Sequence, residues 1–203
     1  MNSKTLLAII SSPQDNAMVG RHWPYMKLAG WDMLGAGTED GKCEWPEPIM
    51  RLDTGKLGKR VTRGISAIWG LVEQEMDILQ AFLSTSYDAC CIIESDNIFV
   101  RKPPEHPRTM LYLVNVIANL HPGIFKTSVY FSTPRYCDRT TAEHLVHFGR
   151  RMIAAGDHEN WISDRFMAHI SYTAQLRFKH WPSYTAFPFD WSARPLKQAF
   201  IED

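Results

Sequence analysis

The stretch Tyr87-Asp88-Ala89-Cys90-Cys91-Ile92-Ile93-Glu94-Ser95-Asp96-Asn97 decides how the rest of the chain is read. Small and branched apolar residues run from Ala89 to Ile93 without a polar break, then stop at two carboxylates one residue apart. An unbroken apolar run of this length suits a strand buried on both faces of a parallel sheet. Ligands of open α/β sheets bind just beyond the carboxyl ends of such strands. Glu94 and Asp96 therefore stand where a polar ligand is met. Two acids at that spacing suit a hard divalent cation that carries phosphates. The alternative is a pair of solvated loop acids after a strand.

Upstream, Ser66 to Ser84 carries Ile68, Trp69, Val72, Met76, Leu79 and Leu83 at steps of three and four, with Glu73, Gln74, Asp77 and Gln80 between them. That period predicts a long amphipathic helix feeding the Ala89–Ile93 strand. Leu6 to Ile10 reads as a first strand, and Ser11 and Ser12 as its exit. A strand, a helix and a buried strand in that order are βαβ grammar. The fold class is accordingly α/β.

The remaining segments are read from their punctuation. Arg21 to Leu28 is a short helix candidate and Trp31 to Leu34 a second strand. Gly35 to Gly64 reads as one long loop, rich in glycine and proline, and it holds the densest basic cluster, Lys56, Lys59, Arg60 and Arg63. Loops of that length in compact domains are usually functional or mobile. Ile98 to Pro107 carries three prolines and reads as loop; Met110 to Val116 and Ser128 to Phe131 are strand candidates. Thr140-x-x-Glu143 has capping-box spacing and opens a helix that Gly156 stops. Asn160 caps a further helix to about Tyr172, with Asp164 in its first turn. The aromatic, proline-rich tail from His180 to Arg194 is expected to pack across the sheet edge.

Bulk numbers narrow the classes. At 203 residues the chain fits one domain, or one domain with a small appendage, and is long enough to bury a real core. Lysine plus arginine equals aspartate plus glutamate at 22 each, so no global basic field recruits nucleic acid, and only a local patch remains open. The apolar runs are too short to cross a bilayer. Leu6 to Ile10 ends without a small-x-small cleavage site, which favours a strand over a signal peptide. Cys43, Cys90, Cys91 and Cys137 lack zinc-ligand spacing; Cys90 and Cys91 read as core residues on opposite strand faces. This cysteine usage points to a reducing, cytoplasmic compartment.

Taken in order, these pieces resemble a GT-A-type, nucleotide-sugar-dependent glycosyltransferase. The resemblance is one of organisation over residues 4 to about 190, and its only compact motif is Glu94-Ser95-Asp96, a variant of the family's Asp-x-Asp. It implies a single GT-A-like (Rossmann-like) α/β domain with a mixed central sheet flanked by helices over residues 1–203, with a donor-binding half at about 1–107 and an acceptor-side half at about 108–203. It further implies Mn²⁺ or Mg²⁺ on Asp96, with Glu94 as the donor-side partner. Glutamate in place of the first aspartate leaves the contact of Glu94 open. Some family members add a late histidine to the metal. His180 is the candidate here, against the alternative of a ring packed on Trp181. Ser11 and Ser12 fit the nucleoside-contact position.

Asp164 is the candidate base for, or holder of, an acceptor hydroxyl, or else a first-turn helix stabiliser. Lys59, Arg60 and Arg63 are candidates to hold the diphosphate or a phosphate-bearing acceptor, unless they are simply solvated. The expected donor is a UDP-sugar. Compact members that glycosylate hydroxymethylated pyrimidines in viral DNA make modified DNA one acceptor to consider, in host cytoplasm if the source is viral. Two other classes stay open. A sugar-phosphate nucleotidylyltransferase normally carries a Gly-rich, Lys/Arg-bearing signature after its first strand, which Ser11-Ser12-Pro13-Gln14 lacks. A non-catalytic scaffold of the same fold is the other.

Overall fold

The computed structural model describes residues 4–38, 41–53, 65–99, 102–103, 110–115, 135–155 and 178–186. Strand β1 (Thr5–Ser11) is buried at every position because both faces of the sheet are covered there. Leu6, Ala8 and Ile10 point to one apolar cluster, and Leu7 and Ile9 to the other. This is the alternation of a pleated strand between two helical layers. A short 3₁₀ turn (Pro13–Asp15) leads into α1 (Asn16–Met26), whose buried stripe of Met18, Val19, His22, Trp23 and Met26 covers the second cluster.

Beyond a second 3₁₀ turn (Lys27–Ala29), Gly30 takes a left-handed φ of 69° and turns the chain into β2 (Asp32–Gly37). β3 (Met50–Asp53) lies on its far side. Helix α2 (Ile65–Leu83) crosses back on the opposite face, with Met76, Ile78, Leu79 and Phe82 buried against Leu6, Ala8 and Ile92. β4 (Ala89–Glu94) and the short β5 (Ile98–Phe99) follow, then β6 (Met110–Asn115), β7 (Arg135–Asp138), α3 (Arg139–Ala155) and β8 (Phe178–Ala186).

Among the described residues the strands form one mixed sheet in the order β3-β2-β1-β4-β7-β6-β8-β5. β3, β2, β1 and β4 are mutually parallel, and β7 is antiparallel to both β4 and β6. β8 runs parallel to β6, and β5 pairs antiparallel with the end of β8. The chain is thus α/β with a mixed sheet flanked by helices, an arrangement compatible with a Rossmann-like fold. Strands from both halves of the sequence share that sheet. No helix among the described residues is long and apolar enough to cross a membrane.

Two glycines mark close approaches. A Cβ on Gly149 would lie 2.4 Å from the Met76 sulfur, so glycine lets α3 close onto α2, where Arg150 also pairs with Asp77. A Cβ on Gly35 would lie 2.4 Å from the Trp45 ring. That indole folds over β2 as part of the loop that Asn16 ties down, accepting from the Glu44 amide at 2.9 Å and donating to the Lys42 carbonyl at 3.1 Å.

Several local expectations are corrected. The helix expected over 21–28 begins at Asn16, because Met18, Val19 and His22 already belong to its buried stripe. The segment expected as loop from Gly35 to Gly64 contains the end of β2 and all of β3, and residues 54–64 lie outside the described residues. Ile98–Phe99 is a short strand rather than loop. Asp138, not Thr140, caps α3: its Oδ1 accepts the Thr141 amide at 2.8 Å. Of the tail expected to cover the sheet edge, 187–194 lie outside the described residues, and residues up to 186 belong instead to a strand between β6 and β5. Pro182 is tolerated there beside the register shift at Val114/Asn115. The strand expected at 128–131 and the helix from Asn160 lie outside the described residues.

Candidate functional site

The strand order reverses between β1 and β4. From β1 the chain builds outward to β2 and β3, and β4 then joins β1 on the opposite side. Open α/β sheets bind ligands at such a reversal, in the crevice outside the carboxyl ends of the two strands; here the segments leaving β1 and β4 are joined through Asp15, His22 and Ser95. In register, Ile10 stands beside Glu94. The Ser95 amide continues the ladder onto the Ile10 carbonyl at 2.8 Å, while the Thr38 amide after β2 reaches the Ser11 carbonyl at 3.0 Å. Ser11–Ser12 and Glu94-Ser95-Asp96 thus flank the same crevice.

The acid-bearing segment is a closed turn. The Asn97 amide donates to the Glu94 carbonyl at 3.0 Å, and the Asn97 side-chain amide donates to Asp96 Oδ1 at 2.9 Å. Ser95 and Asn97 are buried, whereas Glu94 and Asp96 are half-buried. The middle residue faces inward and the two acids flank it. Asp15, at the end of the 3₁₀ turn after β1, is buried and accepts from the Ser12 hydroxyl at 2.8 Å, with a longer 3.5 Å contact from the Ser95 hydroxyl. His22 Nδ1 lies 2.8 Å from the Ser95 carbonyl. A carbonyl only accepts, so Nδ1 carries the hydrogen whichever charge state the ring holds.

The sequence candidates divide accordingly. Glu94, Asp96 and Ser12 come together at the crevice. Ser11 is buried, with its carbonyl also accepting from the Cys43 thiol at 3.3 Å, so its contribution is to fix the loops. Lys59, Arg60, Arg63 and Asp164 lie outside the described residues. His180 lies in β8 opposite Tyr112, six positions before Ala186, the residue that pairs with Ile98 just after the acid turn.

Asp15 and His22 were not among the sequence candidates. Ser12-x-x-Asp15 has the spacing of a local cap, and His22 interrupts an apolar stripe. Those are the only signals the sequence offers for either residue.

Among the described residues no group of three His, Cys, Asp or Glu stands close enough to hold a metal. Two carboxylates one residue apart fit a narrower role. They offer hard oxygen donors to Mg²⁺ or Mn²⁺, ions that keep water and substrate phosphates as their other ligands and do not need an all-protein cage. On this donor chemistry the residues fit the implied cation.

Beneath the crevice, on the α2 face, Arg135 Nη2 and Glu75 Oε2 form a fully buried ion pair at 2.6 Å, and Gln74 donates to the Ala36 carbonyl at 3.1 Å. The four cysteines are free and buried. Burial pushes the Cys137 thiol up to about 12 and raises Cys90 and Cys91 as well, which makes all three inert packing groups. A cavity of about 520 Å³ lies at the other end of the sheet, lined by Lys27, Trp31, Asp32, Glu47, Met50 and Tyr87 among others. No protein-family profile matches this chain, and no curated protein matches it.

Proposed function

We propose that this chain is a metal-dependent glycosyltransferase of GT-A type that moves a sugar from a nucleoside-diphosphate sugar to an acceptor hydroxyl. The observation that carries the reading is the Glu94-Ser95-Asp96 turn standing at the reversal of strand order between β1 and β4. Parallel strands converge there, two half-buried carboxylates are presented, and a buried network holds the turn.

In this reading Asp96 ligates Mn²⁺ or Mg²⁺ and Glu94 faces the donor. When bound, the cation neutralises charge that builds on the departing diphosphate. Ser12 and Ser11 shape the nucleoside side of the crevice. Lys59, Arg60 and Arg63 belong to the proposal as phosphate contacts, His180 as a further metal ligand and Asp164 as the base that takes the acceptor proton. UDP is the leading nucleoside diphosphate, and hydroxymethylated DNA is one acceptor worth testing.

Calorimetry of UDP with and without Mn²⁺ tests the reading, followed by a screen of nucleotide sugars for Mn²⁺-dependent hydrolysis. Binding that requires Mn²⁺ is the expected result. Failure to bind any nucleoside diphosphate, with or without metal, overturns it in favour of a scaffold. Pyrophosphate release from a nucleoside triphosphate and a sugar phosphate would assign a nucleotidylyltransferase instead.

A further inference from the structure

The Asn97 side-chain amide holds Asp96 Oδ1 directly, and the backbone from which that carboxylate projects is set by the peptide planes on either side of it. Three consecutive planes run through the turn, and each is anchored. The plane joining Glu94 to Ser95 is held by the Ser95 amide on the Ile10 carbonyl, a bond to β1. The plane joining Asp96 to Asn97 is held by the Asn97 amide on the Glu94 carbonyl, a bond within the turn. The plane between them, joining Ser95 to Asp96, presents its carbonyl to His22 Nδ1 at 2.8 Å. Of the bonds described, this is the one that ties the middle plane to a side chain from another element.

His22 is a costly residue to place where it stands. It shares the α1 stripe with Met18, Val19, Trp23 and Met26 and is only 5% exposed. Burying an imidazole is unfavourable unless its polar atoms are satisfied. An apolar residue at that position would extend the stripe and leave the Ser95 carbonyl without its side-chain donor. The Ser95 hydroxyl, turned toward Asp15, holds the same residue from a second direction.

We infer that His22 is a positioning residue for the acid turn: its Nδ1–H bond to the Ser95 carbonyl fixes the backbone from which the Asp96 carboxylate projects, with Asp15 bracing Ser95 from the β1 side. The inference rests on the proposed role of Asp96 for its functional consequence, but its structural content stands apart from that role. Supporting groups that orient a metal ligand typically change metal affinity by about 10- to 100-fold when removed.

The test compares His22→Leu, which removes the donor, with His22→Asn, whose side-chain amide places a donor near the Nδ1 position. Three quantities are read in each: the melting temperature, amide hydrogen exchange at Asp96 and Asn97, and Mn²⁺-dependent UDP binding by calorimetry. In His22→Leu, exchange in the turn rises and UDP affinity falls about tenfold or more while the fold is retained; His22→Asn restores both. Wild-type exchange and affinity in His22→Leu overturn the inference. So does equal loss in both variants that tracks a fall in melting temperature, which makes His22 a packing residue only. If the wild-type protein binds no UDP, the proposed function fails and exchange alone decides: raised exchange in His22→Leu, restored in His22→Asn, upholds the clamp, and any other pattern overturns it.

Discussion

The two ends of the parallel strands differ in what they bury. At the amino end, the 520 Å³ cavity is lined by residues whose polar contacts reach solvent. Lys27 and Glu47 form an ion pair with both side chains half exposed, and the Tyr87 hydroxyl donates to Asp32 at 2.9 Å. The half-exposed Lys27–Glu47 pair contributes little to stability, because water screens it. At the carboxyl end, Asp15, His22, Ser95 and Asn97 are all buried and hydrogen-bonded to one another or to strand ends. Burying polar groups is costly unless each has a partner, so such a network is specific about geometry in a way a surface cavity is not. The proposed function rests on the carboxyl end, where the strand order reverses and the turn is held by buried hydrogen bonds, and not on the cavity.

The contrast can be broken most directly at Asp96. Asp96→Asn is expected to abolish Mn²⁺-dependent UDP binding with a nearly unchanged melting temperature, and retained donor turnover in that variant removes Asp96 from the mechanism. Next in size is the Arg135–Glu75 pair just below the crevice. Replacing either partner alone by an apolar residue leaves a buried charge uncompensated and should cost about 3–5 kcal/mol in urea unfolding. Replacing both together should cost much less.

The thiols sharpen the picture through pH. Below about pH 8.5 the folded and unfolded thiols are both protonated and their contribution to stability is fully present. As pH rises further, the unfolded chain releases protons that the folded chain keeps, until the folded value is reached, about 12 for Cys137. Stability should therefore fall on going from pH 8 to pH 10.5, by at most about 1.4 kcal/mol per pH unit for each buried thiol. A flat stability profile over that window would contradict their burial. The smallest effect belongs to the amino end: Lys27→Ala should leave both melting temperature and UDP affinity unchanged, and lost UDP affinity there would reverse the comparison.

Legibility in the sequence followed the range of the interaction. β1, α2, β4 and β6 were readable because each is one uninterrupted pattern, an apolar run or a 3.6-residue period. β3 was hidden because Met50-Arg51-Leu52-Asp53 alternates polar and apolar residues at the sheet's edge and sits among prolines and glycines. β7 was hidden because its first residue is an arginine, and nothing local says that a glutamate 60 positions earlier will neutralise it. The acid turn was visible from Glu94 and Asp96 themselves. Its supports were not, since His22 reaches Ser95 across 73 residues and Asp15 across 80. Tertiary hydrogen bonds of that span leave no periodic trace.

Arg139 adds a consequence at the base of the acid-bearing strand. Its guanidinium donates to the carbonyls of Leu83, Thr85 and Tyr87 at 2.5, 2.9 and 3.0 Å and lies over the Phe82 ring, although it is itself the first residue of α3. One side chain thereby collects the last carbonyl of α2 and two carbonyls of the connection into β4, groups that have no partner within the helix. The start of one helix and the finish of another are welded into a single joint, and β4 departs from that joint. The root of the strand is therefore anchored by contacts separate from those that hold its tip.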